Sequence, residues 1–106
     1  MKALEALADP TRLRIVELLA EGELSAGEIA SSFRTSRPGV SRHLRVLREH
    51  GLVSAREDGR RRIYSLDAAP LAELDDWLAR YRIFWTNRLE ALDTEIRRRR
   101  RTKSSD

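Results

Sequence analysis

Residues 25–51, SAGEIASSFRTSRPGVSRHLRVLREHG, contain two helix starts so close together that only a very short turn fits between the helices they open. Ser25 and Glu28 have the spacing of a capping box, in which the serine oxygen accepts the third helical N–H and the carboxylate accepts the N–H of the cap itself. Leu24 and Ile29 flank the box as a hydrophobic staple. The helix expected from about Ala26 to Phe33 buries Ile29, Ala30 and Phe33. Ser36 then caps a second helix, with Pro38 in its first turn and Gly51 as its terminator. Two short helices joined through Arg34 to Ser36 make a helix-turn-helix.

The second helix explains what that motif is for. At about 100° per residue from Val40, Leu44 and Leu47 fall within about 40° of it, so these three form the buried stripe. Ser41, Arg45, Pro38 and Arg42 fall between about 100° and 200°, on the outer side. A helix-turn-helix inserts the N-terminal part of its second helix into the major groove, where arginine binds guanine O6 and N7 bidentately. Arg37, Ser41, Arg42 and Arg45 are therefore the candidate groove contacts. Ser36 and His43 are expected nearer the DNA backbone. An ordinary solvated helix face is the competing reading.

The segment that follows favours DNA. Residues 52–66, LVSAREDGRRRIYSL, hold two β-prone runs around Asp58-Gly59, which signals a hairpin. Arg56, Arg60, Arg61 and Arg62 cluster at its tip, as a wing that grips phosphates or an adjacent minor groove requires. A plain edge hairpin would need arginine only against aggregation. Charge is focused accordingly: residues 34–62 hold nine arginines against three acidic residues, whereas the rest of the chain has twelve basic against fourteen acidic.

ALADPTRLRIVELL at Ala6 to Leu19, the helix-turn-helix and the GRRRIYSL wing together resemble the ArsR/SmtB-like (arsenic-repressor-type) winged-helix regulators of bacteria. The likeness covers about residues 3–66. It implies a homodimeric transcription factor, usually a repressor, that binds an inverted repeat and often senses a metal. The metal part does not carry over. Metal-sensing members place cysteines before the recognition helix, where ELSAGEIA here offers Ser25 and Gly27, and the chain has no cysteine at all. Other members use the C-terminal helix, which here lacks histidine. His43 and His50 are seven residues apart on one helix, about 10 Å along its axis, too far to share a zinc ion at bond lengths of about 2.0 to 2.1 Å. No metal or other cofactor is expected, and no effector is legible.

From Pro70 onward, Leu71, Leu74, Leu78, Tyr81, Trp85, Leu89, Leu92 and Ile96 recur at spacings of three and four, a coiled-coil-like seam widened by Trp77 and Phe84. An unbroken helix from Leu71 to Ile96 would be about 38 Å long, more than a domain of this size needs. A second copy of the chain is the expected cover, joined by Leu4 and Leu7 as the resemblance implies. Packing within one monomer is the plainer alternative.

The expected architecture is a single, mostly α domain with a small β-hairpin wing: an N-terminal helix (1–8), a winged helix-turn-helix (9–66) that Asp9 and Pro10 open, a dimerisation helix (70–99) and a disordered tail (100–106). The expected function is metal-independent repression as a homodimer on double-stranded DNA. A protein-interaction module with little DNA affinity is the alternative. Structured RNA fits less well, because the deep A-form major groove excludes side chains. Scattered Ser, His and Asp give no catalytic triad. No apolar leader or membrane-length run is present, so a cytoplasmic location is expected.

Overall fold

The computed structural model describes residues 1–34 and 37–104, with side chains to Thr102. In order, the elements are α1 (Lys2–Leu7), α2 (Pro10–Ala20), β1 (Leu24–Ser25), α3 (Ala26–Ser31), α4 (Arg37–Glu49), β2 (Val53–Asp58), β3 (Arg61–Leu66), α5 (Ala69–Ala79) and α6 (Arg82–Ser104). The chain divides into two compact units, Met1–Leu74 and a second from Asp75 on.

The helix starts lie where the local chemistry places them. The Asp9 carboxylate accepts the Thr11 and Arg12 N–H groups at 2.8 and 3.1 Å, ahead of Pro10, whose missing N–H loses nothing at a first helical position. Ser25 Oγ accepts the Glu28 N–H at 3.2 Å, and Glu28 returns the bond to the Ser25 N–H at 2.9 Å, completing the capping box. Beyond α4, Gly51 takes a φ of +75°, and the N–H groups of Gly51 and Leu52 bond to the carbonyls of Arg48 and Leu47. This is a Schellman ending, which glycine accepts without the Cβ penalty. It brings Leu52 back onto Leu47, both fully buried.

The core of the first unit is a single cluster. Ile15, Val16 and Leu19 of α2, Ile29 of α3 and Val40, Leu44 and Leu47 of α4 close on Leu52, Val53 and Tyr64. At about 1.5–3 kcal/mol for each fully buried large apolar side chain, this cluster is the main force holding α4 against the other helices.

Two features depart from the sequence expectation. Leu24 and Ser25 form a third strand, paired antiparallel with Tyr64 and Ile63, so the sheet order is β1-β3-β2. The hairpin turn is Gly59-Arg60 rather than Asp58-Gly59. Asp58 pairs with Arg61, and Gly59, at φ +63°, is the first central residue, the place where a two-residue turn of this kind needs glycine.

The C-terminal expectations need correction as well. Residues 70–99 are not one helix: the Arg80 and Tyr81 N–H groups bond back to Trp77 and Leu78, tightening to an i to i+3 pattern that ends α5. Neither glycine nor proline marks that break. Leu71 and Leu74, expected at a dimer interface, are half-buried within one chain and pack against the core of their own unit, as does Leu7. The tail expected from residue 100 continues α6 to Ser104. Ion pairs from Asp93 to Arg97 and from Glu95 to Arg98 and Arg99 support the helix up to that stretch at helical spacing.

Candidate nucleic-acid interface

Along α4 the buried stripe is Val40, Leu44 and Leu47, and the opposite side carries the cations. Pro38, Ser41, Arg42, Arg45 and Arg48 of α4 and Arg62 and Tyr64 of β3 line one open groove of about 520 Å³. Four of these seven side chains are arginines, and none is a carboxylate. Strand periodicity explains Arg62: it shares a face with Tyr64, which the core anchors, and successive side chains alternate between faces. Its guanidinium stands 5.8 Å from the Tyr64 ring centroid, within cation–π range. A helix face and a strand together thus present planar, permanently charged donors to a shared space, suited to phosphate oxygens and guanine edges.

Residues 9–55 match the family model for bacterial regulatory proteins of the arsR family. The chain is 50% identical over 88 residues to the HTH-type transcriptional regulator Rv2034 of Mycobacterium tuberculosis, covering 83% of this chain and 79% of that one. It is 35% identical to the transcriptional repressor SdpR of Bacillus subtilis over 73% of this chain and 86% of that protein. The chain belongs to the ArsR family. A solved structure described as a possible transcriptional regulator for arsenical resistance superposes with a TM-score of 0.73 at 45% identity, covering 86% of this chain and 95% of that one. As an ArsR-family protein it is a winged-helix DNA-binding transcriptional regulator and not an enzyme.

Within this ArsR-family fold, the residues expected at DNA separate into groups. Ser41, Arg42, Arg45 and Arg62 converge on the groove, and the structure adds Arg48, one further turn along α4. The angle arithmetic applied to α4 would have found Arg48, near about 80° from Val40. Arg60 is exposed in the hairpin turn. Arg37 borders a smaller cleft of about 200 Å³ between α3 and α4, beside Gly27 and Ala30. Ser36 lies outside the described residues.

Arg56 and Arg61 occupy the other face of the hairpin. Arg56 Nη2 bonds to Glu23 Oε2 at 3.0 Å and Arg61 Nη2 to Glu28 Oε1 at 2.7 Å, tying the wing to the α2–α3 segment. Hydrogen bonds from the Ser25 backbone and side chain, with the Arg61 charge, hold the Glu28 carboxyl below its usual range.

His43, expected near the DNA backbone, meets α2 and its cap. Its Nδ1 lies 3.3 Å from Arg12 Nη1 and 3.9 Å from Asp9 Oδ1. Arginine only donates, so Nδ1 is the acceptor in the first contact. Arg12 Nε also donates to the Ala6 carbonyl at 2.6 Å, so α1, α2 and α4 meet around one guanidinium. The Arg12 N–H bond, with the Thr11 N–H and the Arg12 charge, lowers the Asp9 carboxyl against its partial desolvation. The angle of His43 on α4 held this signal, since it lies about 60° from the buried stripe.

The donor set does not fit a metal site of the kind the family often carries. No thiolate exists, Ser25 is engaged in its capping box, and Gly27 has no side chain. His50 meets the Val46 carbonyl and Glu5, whereas His43 meets Arg12 and Asp9. Among the described residues no three His, Cys, Asp or Glu side chains converge.

Proposed function

We propose that the protein represses transcription as a homodimer that occupies an inverted-repeat operator, with base edges read by Ser41, Arg42 and Arg45 and phosphates gripped by Arg48, Arg60 and Arg62, and with no metal effector. The arginine-lined groove between α4 and β3 carries this reading, because the core holds both walls and four arginines line the shared space. Repression by occupancy is supported by the relative named as a repressor. A dimer is supported by the second unit, where Leu78, Tyr81, Ile83, Phe84, Trp85, Leu89 and Leu92 are all exposed in a single chain. Exposed apolar surface this dense marks an interaction site, and a two-fold pair of recognition helices spaced about 34 to 36 Å apart calls for a palindromic site.

Footprinting on the promoter of the protein's own gene, followed by titration of the footprinted duplex, tests the groove. Arg42→Ala and Arg45→Ala should each weaken specific binding by about 1–3 kcal/mol and relax selectivity at one base pair. Unchanged operator affinity in both folded variants overturns the groove assignment. Little DNA affinity in the unsubstituted protein at low salt would favour a protein-interaction module.

A further inference from the structure

The end of α6 carries a second cationic surface that the operator groove does not account for. Residues 93–103, DTEIRRRRRTK, hold six basic residues against two acidic ones, and the helix continues through them. Taking about 100° per residue from Arg97, Thr94, Arg98 and Arg101 fall between about 0° and 100°, while Trp85, Leu89, Leu92 and Ile96 fall between about 220° and 280°. The helix therefore has two opposed faces. Around residues 94–101 the arginine face lies on the side of α6 away from that stripe. On that face Thr94, Arg97, Arg98 and Arg101 line a shallow cavity of about 320 Å³, with no carboxylate among the lining residues.

The local ion pairs do not close this surface. Arg97 is held by Asp93 at 3.2 Å and Arg98 by Glu95 at 3.7 Å, with the arginine side chains 71% and 73% exposed. Pairs this exposed are worth little in water and exchange readily for a stronger anion. A phosphate diester offers arginine the planar two-oxygen geometry that its fork of donors matches.

We infer that the Arg97, Arg98 and Arg101 face of α6 is a sequence-independent binding surface for the phosphates of duplex DNA, separate from the operator-reading groove. DNA is the fitting polyanion because the chain is already a DNA-binding regulator, and one charge per about 1.7 Å of duplex axis matches a dense arginine face without demanding any sequence. The inference rests on DNA binding by the family fold but not on which groove residues read bases, nor on what covers the apolar stripe.

The test compares the full chain with Arg97→Gln/Arg98→Gln/Arg101→Gln, which keeps good helix formers, and with the matching triple Lys variant. The probe is random-sequence duplex DNA, titrated between about 50 and 200 mM salt, where each neutralised phosphate adds about 0.9 to the salt slope. The expected result for the Gln variant is a slope shallower by about 2 to 3 and affinity for random duplex lower by about tenfold or more. The Lys variant should keep the slope, the sedimentation of both variants should match the parent, and the ratio of operator to random affinity should hold. An unchanged slope in the Gln variant overturns the inference. So does a loss confined to anionic lipid vesicles, or a loss that tracks altered sedimentation. Failure of the operator-reading assignment would appear separately, as normal operator selectivity in Arg42→Ala and Arg45→Ala.

Discussion

Glu28 and Arg61, thirty-three residues apart, meet through one oxygen: Glu28 Oε1 accepts the Arg61 guanidinium at 2.7 Å and the Ser25 N–H at 2.9 Å. The same carboxylate therefore closes the helix cap that starts the helix-turn-helix and anchors the wing.

This contact divides the wing arginines by role. Arg62→Ala should lower affinity for all DNA sequences and flatten the salt slope by about 1. Arg56→Ala and Arg61→Ala should change the slope much less, because their guanidinium groups bond to Glu23 and Glu28. Titration of one duplex across salt distinguishes them. Equal slopes for Arg61→Ala and Arg62→Ala would show that face alternation does not set the role.

Acid should weaken the fold through its two caps. Asp9 and Glu28 are both held below their usual ranges by hydrogen bonds to their anionic forms. Their contribution is complete above the unfolded-state values, about 3.9 for Asp and 4.3 for Glu, and is lost as pH falls through the lower folded-state values. Stability should thus be flat near neutrality and decline below about pH 4. Asp9→Asn/Glu28→Gln keeps capping groups but cannot titrate, so its urea midpoint should fall less steeply with acid. An acid profile identical to that of the parent would remove the caps from the account. Asp9→Ala, which also deletes the acceptor, should cost about 1 kcal/mol at neutral pH.

Leu89 and Leu92 are 59% and 55% exposed in one chain, and Leu89→Glu/Leu92→Glu would bury unpaired charge in any dimer formed there. The variant is expected to sediment as a smaller particle and to lose operator selectivity, because one recognition helix reads too few base pairs. It should retain weak, salt-sensitive DNA affinity. A monomeric variant that still protects a palindromic site normally would separate dimerisation from function. Leu71 and Leu74, packed in their own core, should instead affect thermal stability when truncated, by about 2–5 kcal/mol for a well-buried leucine and less here, where burial is partial.

Zinc, cadmium or arsenite at stoichiometric levels should leave DNA affinity unaltered, since the chain has no thiolate and its two histidines face different partners. Calorimetry combined with DNA titration checks this. One tightly bound metal per protomer that releases DNA would refute it.

What the sequence by itself determined lies within a few residues along the chain. The cap at Asp9, the box from Ser25 to Glu28, the glycine ending at Gly51 and the α4 stripe of Val40, Leu44 and Leu47 follow from hydrogen bonds between near neighbours and from the period of 3.6. These were enough to place the helix-turn-helix and its charged face. Only the tertiary structure decided which arginines line the open groove and which are engaged elsewhere. Arg61 meets Glu28, His43 meets Arg12, and Leu71 and Leu74 join the core, each through a partner that the folded chain brings near. The two-residue β1 and the break before Arg82 were equally invisible, the first because its pairing partner is Ile63-Tyr64 far along the chain, the second because no residue there forbids a continuous helix.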